Sequence, residues 1–304
     1  MDVPALETPN VPATVIEIAL LLTGVMVLVR WQFSDHSVAY KQARLAPWRI
    51  SLSDFLMYAL FAVLGAMIAQ FLALTLQRRY PDLMADELWI LVQGGAFQLG
   101  VLAGVLTAGA FAKSKLARDP IDTWSEMPEA ESADVLPLSV PGTPVTSVQP
   151  LPIHPLVGGL LVFLAALPLV LLTGLVWQTA LTWAGVEVEQ QELVDLLTKT
   201  DSPLLIAGMG ILAVAIAPLM EEIVFRAGLF RYLRTRVPRI SAFLISAVLF
   251  SALHANTAAF APLVVFGVVL AIAYERTGRI EIPMVAHALF NLHTLVLLLA
   301  GVTT

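Results

Sequence analysis

Residues 217–226 read APLMEEIVFR, with Glu221 and Glu222 side by side and Arg226 four positions after Glu222. The stretch lies within a longer apolar run of the kind that crosses a lipid bilayer. A charged side chain near the bilayer centre costs at least ~3 kcal/mol, so such residues usually face the interior of a helix bundle, pair with one another and serve a function. The two carboxylates therefore predict a functional site inside a membrane protein.

The composition of the whole chain supports a membrane protein. Of its 304 residues, 58% are hydrophobic and only 13% are charged, and the mean hydropathy is +0.83. A soluble domain carries about a quarter charged residues. The chain has no cysteine, which excludes disulfides and thiolate chemistry. Its net charge of −6 argues against a nucleic-acid partner.

Eight apolar stretches predict eight transmembrane helices. About 20 apolar residues span the hydrocarbon core, and in lipid an open chain satisfies its backbone only as a helix. The sixth and seventh stretches are short but dense in apolar residues. The chain is therefore predicted to be an all-α, polytopic integral membrane protein. The predicted helices are 13–29, 53–76, 88–112, 156–183, 203–225, 240–254, 260–273 and 283–300.

One segment divides the chain into two membrane regions. Residues 119–155 contain eight prolines and six acidic residues but no Lys or Arg. Such a stretch buries too little apolar surface to offset its ordering entropy. We interpret it as a mostly disordered linker between an N-terminal three-helix region, residues 1–118, and a C-terminal domain, residues 156–304. Gly100 and Gly104 predict close helix packing within the chain rather than between copies.

The basic residues predict the orientation. With the N-terminus outside, 14 of the 17 Lys and Arg residues fall on the inner side, as the positive-inside rule requires. The linker and the turn after the fifth helix are then cytoplasmic. The expected location of the protein is the plasma or inner membrane of a prokaryote. The inner residues are Arg30, Lys41, Arg44, Arg49, Lys113, Lys115, Arg118, Arg226, Arg231, Arg234, Arg236, Arg239, Arg276 and Arg279.

The spacing within the quoted stretch distinguishes its two carboxylates. Glu222 and Arg226 are four residues apart, so they share a helix face and can pair. Glu221 is turned about 100° away and has no built-in partner. Pro218 predicts a kink that opens a cavity beside the pair. A Glu–Arg pair at the headgroups would explain one carboxylate but leaves the second unexplained.

Two further polar patterns lie on later apolar helices. His254 follows Phe250 by four residues, and Asn291 follows His287 by four, so each pair shares a helix face. Singly, each is more typical of an interhelical hydrogen bond than of a catalyst. His293 lies about 240° round the helix from His287 and is excluded from the site.

The depths of these residues permit a common site. If the fifth helix continues to a turn at residues 237–238, Glu221 lies 16 residues before that turn and His254 lies 17 after it. Both are then ~24–26 Å from the turn at about 1.5 Å per residue, and they come level in the hairpin. His287 and Asn291 enter from the same cytoplasmic side. The polar groups are expected to meet in the inner half of the membrane.

Taken in order, Glu-Glu-x-x-x-Arg, Phe-x-x-x-His and His-x-x-x-Asn on successive helices resemble the CPBP family. This is the CAAX prenyl protease 2 and bacteriocin-processing group, also called Abi or Rce1-like. Tyr274 and Thr277-Gly278 are also similar to the family pattern, and the resemblance covers residues 156–300. The chain departs at Ala227, where the family often has Gly, and Gly228 follows one position later.

The resemblance implies a glutamate-type intramembrane endopeptidase that hydrolyses peptide bonds of membrane-anchored peptides or proteins. In this family pattern Glu221 is the general base that activates water, and His254 helps to hold that water. Glu222 and Arg226 form a supporting pair. The family name implies farnesylated CAAX substrates, but no residue of this sequence identifies a prenyl pocket.

The resemblance further implies that His287 and Asn291 donate to the oxyanion of the tetrahedral intermediate. No cofactor is then expected. A zinc-dependent version stays open, because Glu221, His254 and His287 would supply three ligands and leave an open position. Against it, His-Glu-x-x-His is absent and asparagine is a weak zinc ligand.

Two other functional classes stay open. The motifs would also persist in a non-proteolytic membrane scaffold or an immunity-type binding protein that sequesters a partner. A transporter fits less well, because the fifth and eighth helices lack the paired interruptions typical of a transport site. The oligomeric state is not predicted.

Overall fold

The computed structural model describes residues 11–33, 44, 45, 48, 50–118, 150–186, 200 and 202–300. Within this part of the chain the regular structure is helical, with no strand. Eight principal helices follow one another, and a single 3₁₀ turn, Pro81–Leu83, joins the second to the third. They are α1 Val11–Phe33, α2 Leu52–Arg79, α3 Asp86–Arg118, α4 Pro155–Trp183, α5 Pro203–Leu233, α6 Arg239–Ala252, α7 Phe260–Thr277 and α8 Glu281–Leu299.

Seven of these helices are long and apolar enough to cross a membrane, and α6 is shorter, with 14 residues. The predicted all-α integral membrane fold is confirmed. Two of the helix ends that differ from the prediction bear on the candidate site. α5 continues past residue 225 to Leu233, because Arg226 is paired inside the bundle and does not mark the membrane surface. α6 ends at Ala252, so His254 lies in the turn that follows.

The predicted linker is described only at its end, and residues 119–149 lie outside the described part of the chain. Residues 150–155 are described, and two of them contact the turn between α7 and α8. Leu151 is buried, and its N–H donates to the carbonyl of Thr277 at 3.1 Å. Arg279 donates to the carbonyl of Ile153 at 3.1 Å. Composition does not reveal these partners at the turn between α7 and α8. The division into two domains stays a prediction.

α2 and α3 form a helical hairpin whose backbones approach closely at glycines. A Cβ atom on Gly65 would lie 2.1 Å from the carbonyl oxygen of Gly100. A Cβ atom on Gly104 would lie 2.0 Å from the carbonyl oxygen of Phe61. Larger residues would separate the helices at both places. The predicted use of Gly100 and Gly104 for packing within the chain is confirmed.

The remaining helices surround the candidate site. α4, α7 and α8 pack against one another, α6 packs against α7, and α5 contacts α6, α7 and α8. α1 lies on the outside of α4, where a Cβ atom on Gly24 would lie 2.2 Å from the carbonyl oxygen of Leu164. The largest cluster of buried apolar residues fills the centre of this bundle. It consists of Phe163, Leu164, Ala166, Leu167, Phe225, Phe250, Phe266, Leu270 and Ala286.

α5 is continuous but irregular around the paired carboxylates. Two π-helical segments, Leu212–Ile216 and Ile223–Phe230, flank the α-helical residues Ala217–Glu222. π-Helical turns are rare and occur often at functional sites. The sequence predicted an irregularity at Pro218. The structure places wider turns on either side of this proline and no break at it.

Candidate active site

Glu221 and Glu222 lie between the two π-helical segments of α5, and Arg226 lies within the second one. Glu222 and Arg226 are fully buried, and Arg226 Nη1 donates to Glu222 Oε1 at 2.9 Å. The guanidinium lies 4.3 Å from the centre of the Phe250 ring, and its Nη2 donates to the carbonyl of Gly267 at 3.4 Å. The predicted pairing of Glu222 with Arg226 is confirmed. A carboxylate, a carbonyl and an aromatic face together compensate the buried cation.

α8 supplies His287 as a second partner for Glu222, and this contact was not predicted from the sequence. His287 Nδ1 lies 2.9 Å from the same Glu222 Oε1. When Glu222 is ionised it only accepts, so Nδ1 then carries the proton. His287 is 3% exposed, and its ring packs edge-on against Phe250 and Phe266. These contacts fix the ring and leave Nε2 to face Glu221.

Glu221 faces a different set of groups from Glu222. Its Oε2 is buried and has no hydrogen-bond partner among the described residues. It lies 3.7 Å from Nε2 of His254 and 3.7 Å from Nε2 of His287. Both distances are too long for a direct hydrogen bond and suit a polar atom held between the groups. Glu221 is thus the carboxylate without a built-in partner, as predicted.

His254 reaches the site from the turn after α6. Its Nδ1 lies 2.8 Å from the carbonyl oxygen of Phe250, so Nδ1 carries the proton in this geometry. Nε2 then faces Glu221. Ala255, the next residue, has a φ of +48°, a left-handed conformation that is uncommon outside glycine. The α5–α6 hairpin brings His254 Nε2 within 3.7 Å of Glu221 Oε2, as their similar distances from the turn predicted.

Asn291 lies one turn beyond His287 on α8, and its described partner is a backbone group. Its Nδ2 donates to the carbonyl of Ala213 at 2.8 Å. Ala213 belongs to the first π segment of α5. A primary amide has two N–H groups, so this bond uses one of them. The spacing of His287 and Asn291 gave no indication of Ala213.

His293 is separate from the cluster, as its helix face predicted. Its Nε2 lies 2.7 Å from Glu17 Oε2, which joins α8 to α1. Its ring also packs edge-on against Phe163 of α4. Glu17 was not among the site residues predicted from the sequence. The available signal was a lone carboxylate in an otherwise apolar helix.

The zinc alternative rests on side chains that the structure does bring together. Glu221, His254 and His287 face one another, with both Nδ1 atoms engaged elsewhere. Among the described residues, however, no group of three or more His, Cys, Asp or Glu side chains is arranged to hold a metal ion. The 3.7 Å from Glu221 Oε2 to each Nε2 is a few tenths of an ångström longer than the separation of about 3.3–3.4 Å between two ligand atoms of a tetrahedral zinc site.

Comparison with known proteins identifies the same part of the chain. Residues 203–293 match the model of a family described as type II CAAX prenyl endopeptidase Rce1-like. A protein of Bacillus subtilis (strain 168) named "Putative membrane peptidase YdiL" is 33% identical over 94 residues, which cover 31% of this chain and 38% of that protein. No solved structure matches the chain.

The matched region contains every residue of the predicted site. It begins with α5 and ends within α8, so it includes the carboxylate pair, the turn after α6 and the histidine of α8. The site residues are Glu221, Glu222, Arg226, His254, His287 and Asn291. The family resemblance that the three motifs predicted is therefore confirmed over residues 203–293.

Proposed function

We propose that the protein is an intramembrane endopeptidase that hydrolyses peptide bonds of membrane-anchored substrates, with Glu221 as the general base. One observation carries this proposal. Glu221 Oε2 is buried, has no hydrogen-bond partner among the described residues, and lies 3.7 Å from Nε2 of both His254 and His287. This spacing suits a water molecule that contacts all three atoms.

The bonding of His254 supports its role in holding the water. Since its Nδ1–H donates to the Phe250 carbonyl, Nε2 of the neutral ring is an acceptor. Water between the two side chains donates one O–H to Glu221 and the other to His254, which leaves an oxygen lone pair for the substrate carbonyl carbon. Glu221 takes the proton as the water attacks and later gives it to the departing amine.

The bonding of His287 determines how it can stabilise an oxyanion. Its Nδ1–H is held by Glu222, so Nε2 donates only when the ring is an imidazolium. The Nε2–H then points toward the same space as Glu221 and stabilises the developing oxyanion.

Asn291 is proposed as the second oxyanion donor. One of its amide N–H groups is held by the carbonyl of Ala213, and the other is available to the substrate. The bond to Ala213 fixes the amide before the reaction, which is the condition under which such donors are effective. A preorganised donor in a water-poor site is worth about 3–4 kcal/mol to the transition state.

The proposal extends to the class of substrate and to the side of the membrane from which the substrate reaches the active site. The family name supports a peptide anchored by a C-terminal prenyl group as the first candidate substrate. The distribution of basic residues supports an N-terminus outside and an active site that opens toward the cytoplasm. The similarity to a Bacillus subtilis protein supports the plasma or inner membrane of a prokaryote as the location.

A cleavage assay tests the proposal directly. The full chain is reconstituted in liposomes with internally quenched, membrane-anchored peptides, with and without a farnesyl group. Glu221→Gln serves as the matched control, because it keeps the size and shape of the side chain. Cleavage by the wild type alone is expected. Equal cleavage by both proteins contradicts the proposal, and stoichiometric binding without cleavage by either favours the scaffold or immunity-type function.

A zinc-dependent version of the same reaction is the second candidate. Its support is that both histidines have Nδ1 bonded to an acceptor, the arrangement that orients metal-bound histidines. Zinc bound by Glu221, His254 and His287 would act as a Lewis acid on water or the substrate carbonyl.

Metal analysis separates the two versions. The metal-free proposal expects purified protein without stoichiometric zinc and activity that survives a strong chelator. Zinc that disappears together with activity in His254→Ala and His287→Ala identifies a metalloprotease and overturns the glutamate mechanism.

A further inference from the structure

We propose that Tyr58 of α2 is a positioning residue for the Glu221–Glu222 pair, so that the N-terminal helices form part of the active enzyme. The inference rests on the proposed function. The Tyr58 hydroxyl donates to the carbonyl of Ile223 at 3.1 Å. Ile223 directly follows Glu222 and begins the second π segment of α5. The contact therefore holds the backbone next to the catalytic carboxylates.

The carbonyl of Ile223 lies where the helical hydrogen-bonding pattern of α5 changes. Residues Ala217–Glu222 are α-helical, and Ile223–Phe230 are π-helical. Carbonyls at such a junction change partners, and a backbone group left without a partner inside a membrane is costly. A phenol hydroxyl from another helix supplies a donor at this junction. It thereby stabilises the wider turn that follows Glu222.

Gly228 makes the approach of Tyr58 possible. A Cβ atom on Gly228 would lie 2.8 Å from both Cε1 and the hydroxyl oxygen of Tyr58. Any larger residue would push the ring away from α5. Gly228 stands two positions after Arg226, in the same π segment that Ile223 begins. The segment therefore offers both an acceptor for the tyrosine and the space for its ring.

Aromatic contacts hold Tyr58 in register with α5. Phe55, one turn earlier on α2, stacks on Tyr232 of α5, with ring centres 4.0 Å apart and an interplanar angle of 5°. Trp48 packs edge-on against Tyr58 at 5.6 Å. We call Trp48, Phe55, Tyr58 and Tyr232 the aromatic seam. The seam fixes the position of the Tyr58 hydroxyl against the helix that carries the site.

Tyr58 lies outside the region that matches the endopeptidase family. It is separated from Ile223 by 165 positions in the chain, whereas the matched region begins at residue 203. The matched residues supply the reacting groups, and α2 supplies a donor that orients them. A displacement of reacting groups by about 1 Å is enough to lower a rate.

Replacement of the hydroxyl alone tests the inference by kinetics. In the full chain, assayed in liposomes on the quenched farnesylated peptide, Tyr58→Phe is expected to lower kcat about 3- to 10-fold, in line with the loss of one hydrogen bond. KM stays unchanged. The melting temperature falls slightly because the Ile223 carbonyl loses a donor, so kcat is measured per folded molecule. Tyr232→Phe is the matched control, because it removes a hydroxyl from the same aromatic seam without a contact to Ile223. Wild-type kcat in Tyr58→Phe, or equal losses in both variants, overturns the inference.

A second readout needs no substrate. With ¹⁵N-labelled histidine in the full chain, the Nδ1 signal of His287, assigned by its loss in His287→Gln, reports the bond to Glu222. Tyr58→Phe and Gly228→Ala are expected to shift this signal, and Tyr232→Phe is not. An unchanged signal in the first two variants overturns the positioning role. Retained cleavage in Glu221→Gln would instead contradict the proposed function, so the two failures are distinguishable.

Discussion

Two buried clusters of charge differ in how completely their carboxylate oxygens are satisfied. Glu275 of α7 is fully buried against the end of α5. Its two oxygens accept from Arg234 Nε at 2.6 Å and from Arg239 Nε at 2.8 Å. In the candidate site, Oε2 of Glu221 and Oε2 of Glu222 are buried without a hydrogen-bond partner among the described residues. Both carboxylate oxygens of Glu275 accept hydrogen bonds, whereas one oxygen of Glu221 and one of Glu222 accept none among the described residues.

Under the proposed function, this difference separates a structural cluster from a reactive one. A buried acceptor without a donor costs free energy, so folded proteins keep few of them. Both oxygens of Glu275 bind arginines, and these ion pairs hold α5, α6 and α7 together. In the proposed mechanism, the unused oxygen of Glu221 accepts a hydrogen bond from the reacting water. Substitutions in the two clusters should therefore separate stability from activity.

The largest effect is expected from Glu221→Gln. The amide cannot take a proton from water, and loss of general-base catalysis lowers the rate by about 10²–10⁴. The melting temperature should stay close to that of the wild type, because Glu221 Oε2 makes no direct hydrogen bond among the described residues. Turnover and thermal unfolding measured on the same preparation check both statements. Wild-type turnover would remove Glu221 from the mechanism.

The next effect is expected from Asn291→Ala. Loss of an oxyanion donor should lower kcat by about 10²–10³. KM should change little, because the donor acts mainly on the transition state. Thr294→Val on the same helix is the control, since Thr294 is exposed and its hydroxyl donates to the carbonyl of Phe290 on its own helix. A loss of kcat that follows a loss of folded protein would assign Asn291 a structural role through Ala213.

Matched substitutions in the two clusters should affect stability alike but activity differently. Glu222→Gln and Glu275→Gln each leave a buried arginine without a compensating charge, which costs about 3–5 kcal/mol of unfolding free energy. Activity per folded molecule should fall only in Glu222→Gln, because His287 loses the carboxylate that orients it. Denaturant unfolding and turnover corrected for the folded fraction test this contrast. Reduced specific activity in Glu275→Gln would show that the two clusters are coupled.

The last prediction concerns orientation and changes no activity. The arginines around Glu275 and the acidic linker should both be cytoplasmic. The chain has no native cysteine, so Ser132→Cys and Ser139→Cys give single labelling sites in the linker, outside the described residues. Both should resist an impermeant thiol reagent in intact cells and react after permeabilisation. Labelling from outside would show that the orientation is inverted.

Local patterns predicted much of the fold and part of the site. The apolar stretches indicated all eight helices, because each must satisfy its own backbone in lipid. The Glu222–Arg226 pair followed from a spacing of four residues, and the levels of Glu221 and His254 followed from their distances to one turn. The packing of Leu151 against the α7–α8 turn was missed, since proline and acid content describe a segment without its partners.

The sequence by itself determined that this is an all-α membrane protein with two carboxylates in one helix, because lipid leaves an open chain no other regular structure. Only the tertiary structure decided that Glu222 is shared by Arg226 and His287, whereas Glu221 is left facing two imidazole nitrogens. His287 lies 65 positions from Glu222. The meeting of residues so far apart depends on how packed helices rotate against one another and on π turns that shift side-chain register, and no local spacing encodes either.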